Sequence, residues 1–537
     1  MNYYKKLFSE IIAQNKKLAV IGLMIMLFMS VLQVLIPLAM KEMIARIEKQ
    51  ESLSLFLVCI LIYALMWLIY NLINVKWYQY IDILGEKVLW YLRERLHNAL
   101  WRCEYSEFSK MEKEHLKNIL YTDVINVYGN IIIYSLNIAA DSVMIAVFLG
   151  VSFYIDIATT LILLMTIAFG LFFSVLTKPL MAKHSAKVNE ALKQDNAINN
   201  ECIDAVALIR TNGLQEYYLG KVRKSIQEFI AVAIRSDQTS IFLQNLMNHY
   251  HQVLVMAITG YLILNVRSGG VGNLVYYIFV TNLIIEKSQM IENNLYRFMK
   301  NLASFENVQR LLELGDISDG EREEVKDITE IVFEDVSFSY QPEKPLYKGL
   351  SFKLQRGDAV LVEGENGSGK SSLLKIMAGL LTPTSGQITY NGLSYTDVKR
   401  ELLFREICYL NQEELLLNEP PHSYLSVMAH KTVSEPDFKA YRSKVGLEKL
   451  EEEIRDNGKQ LSGGEKKKMI LMKLLARQEE VSIILLDEVE AGLDKQSREI
   501  MAEIERNLLQ KKEKYIILKI SHGESDNNQY YNRKICL

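Results

Sequence analysis

The fold of the C-terminal part of this chain is decided by residues 359–381, AVLVEGENGSGKSSLLKIMAGLL. They consist of an apolar strand, a glycine-rich loop and an apolar helix. The loop Gly364–Ser371 fits the spacing G-x-x-x-x-G-K-[ST] in the strand-to-helix context that this pattern requires. Its glycines let backbone N–H groups turn inward around phosphates, and the helix presents its N-terminus to them. The stretch therefore predicts a phosphate-binding loop.

The residues of this loop have distinct expected roles toward ATP. Lys370 is expected to reach the outer phosphates, and Ser371 to offer its hydroxyl to Mg²⁺. A chance glycine turn is the alternative, and the flanking strand and helix argue against it. The residues predicted to contact ATP are Gly364, Glu365, Asn366, Gly367, Ser368, Gly369, Lys370, Ser371 and Ser372.

A second stretch, VSIILLDEVE (481–490), is a predicted buried strand that ends in two acids. Asp487 is expected to hold Mg²⁺ through its water shell. Glu488 is expected to act as the catalytic base, because hydrolysis needs a group that polarises water near the γ-phosphate. The alternative is a pair of acids that cap a helix N-terminus.

A third stretch, KQLSGGEKKK (459–468), carries a serine hydroxyl and two adjacent glycines. Such a backbone surface also suits a phosphate oxyanion. The three lysines that follow are interpreted as a solvated helix turn. The chain thus has a second phosphate-binding motif about a hundred residues after the first, which needs an explanation if a single nucleotide binds.

Composition divides the 537 residues into two parts, and the length predicts two to four domains. Long uncharged runs fill the first 300 or so residues, and a helix needs ~20 apolar residues to cross a bilayer. The net charge of −3 indicates no nucleic-acid partner. The five cysteines have no metal or redox spacing. Six spans are predicted, near residues 18–40, 52–75, 131–154, 157–177, 246–266 and 268–288.

Lysine and arginine in the connections predict the orientation of these spans. The long second and fourth connections are basic and keep helical character, so we expect the membrane helices to continue into the cytoplasm. Lys41, Arg46 and Lys49 count mildly against this orientation. The prediction is a transmembrane domain over 1–312, an acidic linker over 313–330 and a nucleotide domain over 331–537, with both termini in the cytoplasm.

Taken together, the motifs resemble those of the ATP-binding cassette (ABC) transporters, and the resemblance covers the whole chain. QLSGGE is similar to the family signature, and AGLD (491–494) to its D-loop. The resemblance identifies Gln412 in CYLNQEE with the Q-loop glutamine, which implies that it takes part in catalysis and binds ATP and Mg²⁺. It identifies His522 in KISHGE with the switch histidine and Tyr340 in FSY with the aromatic residue that stacks on adenine. Glu465, Ala491 and Gly492 depart from the most usual family residues.

The resemblance also explains the second phosphate motif. Family cassettes dimerise head to tail, so Ser462, Gly463 and Gly464 would cap the ATP held by the other subunit. With all catalytic residues present, a homodimer is expected, and a heterodimer is the alternative. The architecture resembles the exporter type (type IV): an all-α membrane domain of six long helices, followed by an α/β P-loop NTPase domain. Short coupling helices are expected near residues 107–116 and 210–216.

The sequence gives few clues to the transported substrate. Polar side chains of the fifth predicted span, and two acids in the third and sixth, would face a cavity if they lie at membrane depth. Alternatively, the fifth-span residues belong to a helix extension outside the bilayer, and the acids pair with Lys287 and other neighbours. These residues are Gln244, Asn245, Asn248, His249, His251, Gln252, Asp141 and Glu286.

The expected function is ATP-driven export of a peptide or other amphipathic small molecule across a bacterial cytoplasmic membrane. The absence of a basic cluster within the spans disfavours an anionic lipid. The alternatives are one subunit of a heterodimeric multidrug or lipid exporter, and an ATP-gated membrane regulator.

Overall fold

The computed structural model describes residues 9–10, 13, 15–49, 53–264, 266–315, 325–341, 344–411, 414–447, 453–490, 493–520 and 526–537. It divides into two compact units. The first contains residues 1–98 and 113–312, and the second contains residues 99–112 and 313–537.

The first unit is helical. Its helices, some of which extend into the second unit, are α1 (Lys16–Glu48), α2 (Leu53–Arg102), α4 (Lys113–Asn118), α5 (Val124–Tyr128), α6 (Ser135–Ile155), α7 (Ile157–Asp204), α8 (Val206–Thr211), α9 (Gln215–Leu264), α10 (Val266–Lys300) and α11 (Leu302–Leu314). The short helix α3 (Tyr105–Lys110) belongs to the second unit.

Several of these helices are long, and α1 and α7 continue through the internal prolines Pro37 and Pro179. Among the described residues, three helical stretches are long and apolar enough to cross a membrane: Lys16–Glu48, Phe56–Arg102 and Lys113–Ile155. A shorter apolar stretch covers Ile157–Phe169. Asp156 separates α6 from α7 and caps α7, since its carboxylate accepts the Thr159 backbone N–H at 2.9 Å.

Helix α9 packs along α7, and α10 packs against α1 and α6. The core between α6 and α10 is apolar, with Phe148, Tyr276 and Tyr277 fully buried. The Tyr277 hydroxyl donates to the backbone carbonyl of Ser152 at 2.8 Å. This bond supplies the partner that a buried hydroxyl needs.

A polar ladder joins the segment 119–134 to helices α10 and α11. This segment is α5 flanked by two π-helical turns, Ile119–Asp123 and Gly129–Tyr134. The side-chain amide of Asn307 donates to Asp123 at 2.8 Å, and that of Asn130 donates to the Phe298 carbonyl at 3.0 Å. A π-turn changes the helix register, so it sets which side chains can face the neighbouring helix.

The second unit contains two sheets. A four-stranded antiparallel sheet has the order β2 (Lys344–Gln355), β1 (Glu330–Gln341), β4 (Ser385–Tyr390), β5 (Leu393–Ser394). A five-stranded parallel sheet has the order β6 (Ile407–Leu410), β7 (Ile483–Asp487), β8 (Ile516–Ile520), β3 (Ala359–Glu363), β9 (Arg533–Cys536). The strands β7 and β8 are buried throughout and, apart from Asp487 and Lys519, consist of apolar residues, as is typical of a parallel sheet covered by helices.

The helices of the second unit's nucleotide domain are α12 (Lys370–Met377), α13 (Arg400–Arg405), α14 (Pro421–Met428), α15 (Glu435–Val445), α16 (Gly463–Arg477) and α17 (Lys495–Gln510). Two apolar cores form on the faces of the parallel sheet. Val325 and Ile328, from the predicted linker, are buried in one of them.

Helix α3 lies against the nucleotide domain within the second unit. The Thr382 hydroxyl donates to the Glu104 carboxylate at 3.0 Å, and the Arg400 guanidinium lies 3.7 Å from it. The Lys375 ammonium lies 5.9 Å from the centre of the Tyr105 ring. This short helix is therefore fixed at its N-terminus by a carboxylate and an aromatic ring.

Candidate nucleotide site

The glycine-rich loop follows β3 and leads into α12. Gly367 and Gly369 have φ of 84° and 100°, which L side chains rarely adopt. A Cβ at Gly369 would lie 2.5 Å from Leu346, whereas one at Gly367 would meet open space. The loop thus needs glycine for close packing at one position and for backbone conformation at both.

Lys370 begins α12 and its side chain is buried within the loop. Its ammonium donates to the carbonyls of Gly364 at 2.8 Å and Glu365 at 2.9 Å. The buried Ser368 hydroxyl has no hydrogen-bond partner within the described part of the chain. A cation inside a loop that also offers an unused hydroxyl fits a phosphate group.

The carboxylate of Asp487 accepts two hydrogen bonds at the end of β7. The Ser371 hydroxyl donates to one oxygen at 3.0 Å, and the Tyr409 hydroxyl donates to the other at 3.0 Å. Burial raises the pKa of Asp487, and the bonds from Tyr409 and Ser371 oppose that rise. A carboxylate beside a serine hydroxyl offers the oxygen ligands that Mg²⁺ prefers, so these residues fit the ion.

Glu488 has an unusual backbone for a residue with a side chain. Its φ is 49°, in the left-handed region, and its backbone N–H donates to the Ile520 carbonyl at 3.2 Å. Burial lowers the pKa of Lys467, and the charge of Glu488 opposes that shift. All three lysines interpreted as a solvated helix turn are partly buried, and Lys467 is within electrostatic range of the predicted base.

Ser462 caps α16, which begins at Gly463. The Glu465 backbone N–H donates to the Ser462 hydroxyl at 3.2 Å, and the Ser462 backbone N–H donates to the Glu465 carboxylate at 2.8 Å. This is a capping box. The helix N-terminus and Gly463 are exposed, so the predicted phosphate surface faces outward from its own chain.

Tyr340 is the penultimate residue of β1, and half of its surface is exposed. Its hydroxyl lies 3.0 Å from that of Ser372 in α12, and its ring meets Phe338 edge to face. This places an accessible ring beside the helix that follows the glycine loop. Gln412, His522, Ala491 and Gly492 lie outside the described residues.

The sequence reasoning missed two side chains near this site, Tyr409 and Lys473. The buried Lys473 of α16 donates to the Tyr409 carbonyl at 3.0 Å and to Glu414 at 2.5 Å. These contacts tie α16 to the carbonyl of Tyr409 in β6 and to the Glu414 carboxylate. The position of Tyr409 in a short strand three residues before Gln412 is a sequence signal that could have identified it.

The structure pairs Asp141 with Lys287. The Asp141 carboxylate lies 3.6 Å from the Lys287 ammonium, and both side chains are largely buried. Glu286 lies 3.9 Å from the same ammonium and remains half exposed. Of the two alternatives for these acids, the observed arrangement is the pairing with Lys287.

The fifth-span residues are only partly described. Asn245, His249 and Gln252 are exposed, and the His249 ring is 2.7 Å from the Asn245 carbonyl. The side chains of Gln244, Asn248 and His251 lie outside the description.

Two family models match this chain. The ABC transporter transmembrane region matches residues 18–287, half of the chain, and the ABC transporter model matches residues 347–491. The chain belongs to the ABC transporters. It is thus an ATP-hydrolysing membrane transporter, and the glycine loop, Asp487 and Glu488 lie within the residues that the ABC transporter model matches.

Relatives of this ABC transporter include proteins with different substrates. The chain is 23% identical over 462 residues to an ATP-dependent lipid A-core flippase of Psychrobacter cryohalolentis, covering 82% of this chain and 75% of that protein. It is 25% identical over 387 residues to a lactococcin-G-processing and transport ATP-binding protein of Lactococcus lactis, covering 66% and 54%.

A solved structure has the same fold as this ABC transporter. It is a bacterial Atm1-family ABC exporter with ATP bound, at a TM-score of 0.82 and 15% identity. The match covers 95% of this chain and 91% of that one. The prediction of a helical membrane domain followed by an α/β nucleotide domain of exporter type is thus confirmed.

Proposed function

We propose that this transporter exports a peptide or another amphipathic small molecule from a bacterial cytoplasm, as a homodimer driven by ATP hydrolysis. The observation that carries the proposal is the Ser371–Asp487–Tyr409 arrangement beside the glycine loop, in a chain with the exporter fold. The proposal includes the six predicted spans, the cytoplasmic termini and the domain limits 1–312, 313–330 and 331–537.

In the proposed chemistry, the chain's own residues bind and orient the reactants. Backbone N–H groups of residues 364–369 and the ammonium of Lys370 hold the phosphates, with Glu365, Asn366 and Ser372 at the edges of the loop. Ser371, Asp487 and Gln412 hold Mg²⁺, which when bound neutralises charge on the phosphates. Glu488 orients the attacking water and accepts its proton, and His522 contacts the γ-phosphate.

The position of the second phosphate motif supports the proposed dimer. Ser462 and Gly463 lie on an exposed helix N-terminus, and anions bind favourably at such an end. With Gly464 they would complete the site of a second copy, whose Tyr340 stacks on the adenine. A homodimer then contains two equivalent sites, and a heterodimer is the alternative.

An amphipathic substrate is favoured by the relatives and by the charges in the first unit. By their names, one relative is a flippase for lipid A-core and the other processes and transports lactococcin G. The buried Lys287 is neutralised by Asp141, and Glu286 adds a negative charge beside them. This balance favours a neutral or cationic molecule over an anionic lipid.

A lipid remains the second candidate because the lipid A-core flippase match covers 82% of this chain, against 66% for the lactococcin-G transporter. Reconstitution into inside-out proteoliposomes distinguishes the two. We expect ATP to drive uptake of a fluorescent cationic amphipathic peptide by the wild type, and no uptake by Glu488→Gln.

Movement of a fluorescent lipid A analogue without peptide uptake would instead support the lipid exporter. ATP hydrolysis without movement of either probe would support the ATP-gated regulator. Near-normal hydrolysis by Glu488→Gln would contradict the role of Glu488 as base.

A further inference from the structure

A cluster of buried charged side chains lies behind the two acids of the nucleotide site. The Lys519 ammonium donates to the Glu490 carboxylate at 2.6 Å and to the Glu505 carboxylate at 2.7 Å. Glu505 also accepts from the Tyr531 hydroxyl at 2.7 Å and from the Asn527 side-chain amide at 3.1 Å. The cluster therefore contains two carboxylates for one ammonium.

The position of Lys519 is one where an apolar residue would be expected. It lies on β8 on the same face as Ile517, which packs in the apolar core. The side chains of Lys519 and Glu505 are 3% and 1% exposed, whereas that of Glu490 is 24% exposed. Replacing a buried ion pair by apolar residues is often neutral or stabilising, so stability alone explains this cluster poorly.

Geometry connects the cluster to Glu488. Strands β7 and β8 are parallel neighbours, and the Glu488 backbone N–H donates to the carbonyl of Ile520, the residue after Lys519. Glu490 begins the turn toward α17, because its carbonyl accepts the Leu493 N–H at 3.3 Å. Consecutive residues of β8 thus hold Glu488 by its backbone and Glu490 by its side chain.

This double attachment coincides with a strained backbone. Glu488 has a left-handed φ of 49°, and such a conformation persists only where the surrounding contacts enforce it. We propose that Lys519 is a positioning residue for ATP hydrolysis: through Glu490 it holds the turn after β7 and with it the backbone conformation of Glu488. This rests on the proposed role of Glu488 as the base.

Because each carboxylate can be removed separately, the proposal can be tested with matched variants of the full-length transporter in nanodiscs. Glu490→Leu removes the contact to the turn and leaves Lys519 paired with Glu505. Glu505→Leu removes the other, more buried contact and leaves Glu490 in place. Glu490→Gln keeps an oxygen that can accept from Lys519.

We expect Glu490→Leu to lower kcat for ATP about tenfold or more while KM and the melting temperature change little, because an interaction that only positions the base acts on kcat. Glu490→Gln should recover part of that loss. Glu505→Leu should lower the melting temperature and leave kcat of the folded protein within about twofold of the wild type.

A kcat for Glu490→Leu close to that of the wild type would overturn the proposal. The proposal would also be overturned if Glu490→Leu and Glu505→Leu lost kcat equally and each loss of kcat matched the variant's loss of stability. If Glu505→Leu does not fold, kcat and KM of the two Glu490 variants decide. Glu488→Gln is the separate control: if it hydrolyses ATP normally, the base assignment fails whatever the Glu490 variants do.

Discussion

Tyr409→Phe removes one hydroxyl from the nucleotide site and tests how Asp487 is held. In the structure this hydroxyl donates to one Asp487 oxygen at 3.0 Å, and the Ser371 hydroxyl donates to the other oxygen. Phenylalanine keeps the ring in its packed position. The variant therefore leaves a buried carboxylate with one hydrogen bond fewer.

The size of the effect follows from the charge of the acceptor. A hydrogen bond to a charged group contributes about 1.5–3 kcal/mol, which corresponds to roughly tenfold or more in an equilibrium constant. Loss of a residue that orients a metal ligand typically costs 10–100-fold in metal affinity or activity. We therefore expect the apparent Mg²⁺ affinity to fall about tenfold.

The same change predicts a pH effect with a definite sign. Burial raises the pKa of Asp487 and the Tyr409 hydroxyl opposes that rise, so its removal should raise the pKa further. The carboxylate would then be protonated at a higher pH. The acid limb of ATP hydrolysis should move upward in Tyr409→Phe.

Both effects are measured by ATP hydrolysis against Mg²⁺ concentration and pH, and by Mg²⁺-dependent binding of a fluorescent ATP analogue. Tyr424→Phe is the matched control, because the buried Tyr424 hydroxyl has no hydrogen-bond partner within the described part of the chain. Unchanged Mg²⁺ dependence in Tyr409→Phe, or an equal change in Tyr424→Phe, would show that the Tyr409 hydroxyl does not prepare Asp487 for Mg²⁺.

Three further predictions concern other contacts. Glu104→Gln should weaken the contact of the α3 N-terminus with Arg400 by about 1 kcal/mol. Peptide uptake per ATP hydrolysed should fall, and assays of uptake and hydrolysis on the same proteoliposomes measure this ratio. Asp141→Asn should lower the melting temperature, since it leaves Lys287 buried without its main partner, and the double variant with Lys287→Met should regain much of it. Glu465→Ala should cost about 1 kcal/mol, because it removes the carboxylate that accepts the Ser462 backbone N–H in the capping box. Hydrogen bonds from Ser462 hold the pKa of Glu465 below its usual range. The difference in melting temperature between Glu465→Ala and the wild type should therefore have its full size at pH 7 and disappear as the pH falls through that pKa.

Much of the nucleotide domain could be predicted from sequence because its signals are local. The loop 364–371 needs glycines at fixed positions between an apolar strand and a helix, and that requirement is visible in the residues themselves. The structure brings Ser371 and Asp487 to 3.0 Å, as expected if both hold one ion.

The contacts that the sequence reasoning missed join residues far apart in the chain. Tyr409 and Asp487 are on neighbouring parallel strands, and their pairing depends on strand order and register. Lys519 and Glu490 are brought together in the same way by β7 and β8. In the membrane domain, the Asp141–Lys287 pair depends on how α6 packs against α10, which apolar periodicity alone does not specify.

Complementation between two variants tests whether ATP is hydrolysed between two copies of this chain, as we claim. Lys370→Ala damages the glycine loop and Ser462→Ala damages the second phosphate motif, so each variant alone should be inactive. Co-reconstituted, they should regain up to about a quarter of the wild-type hydrolysis, because each mixed dimer contains one intact site. If the mixture stays as inactive as its components while binding ATP normally at the intact loop, each chain hydrolyses ATP within itself and the claim is contradicted.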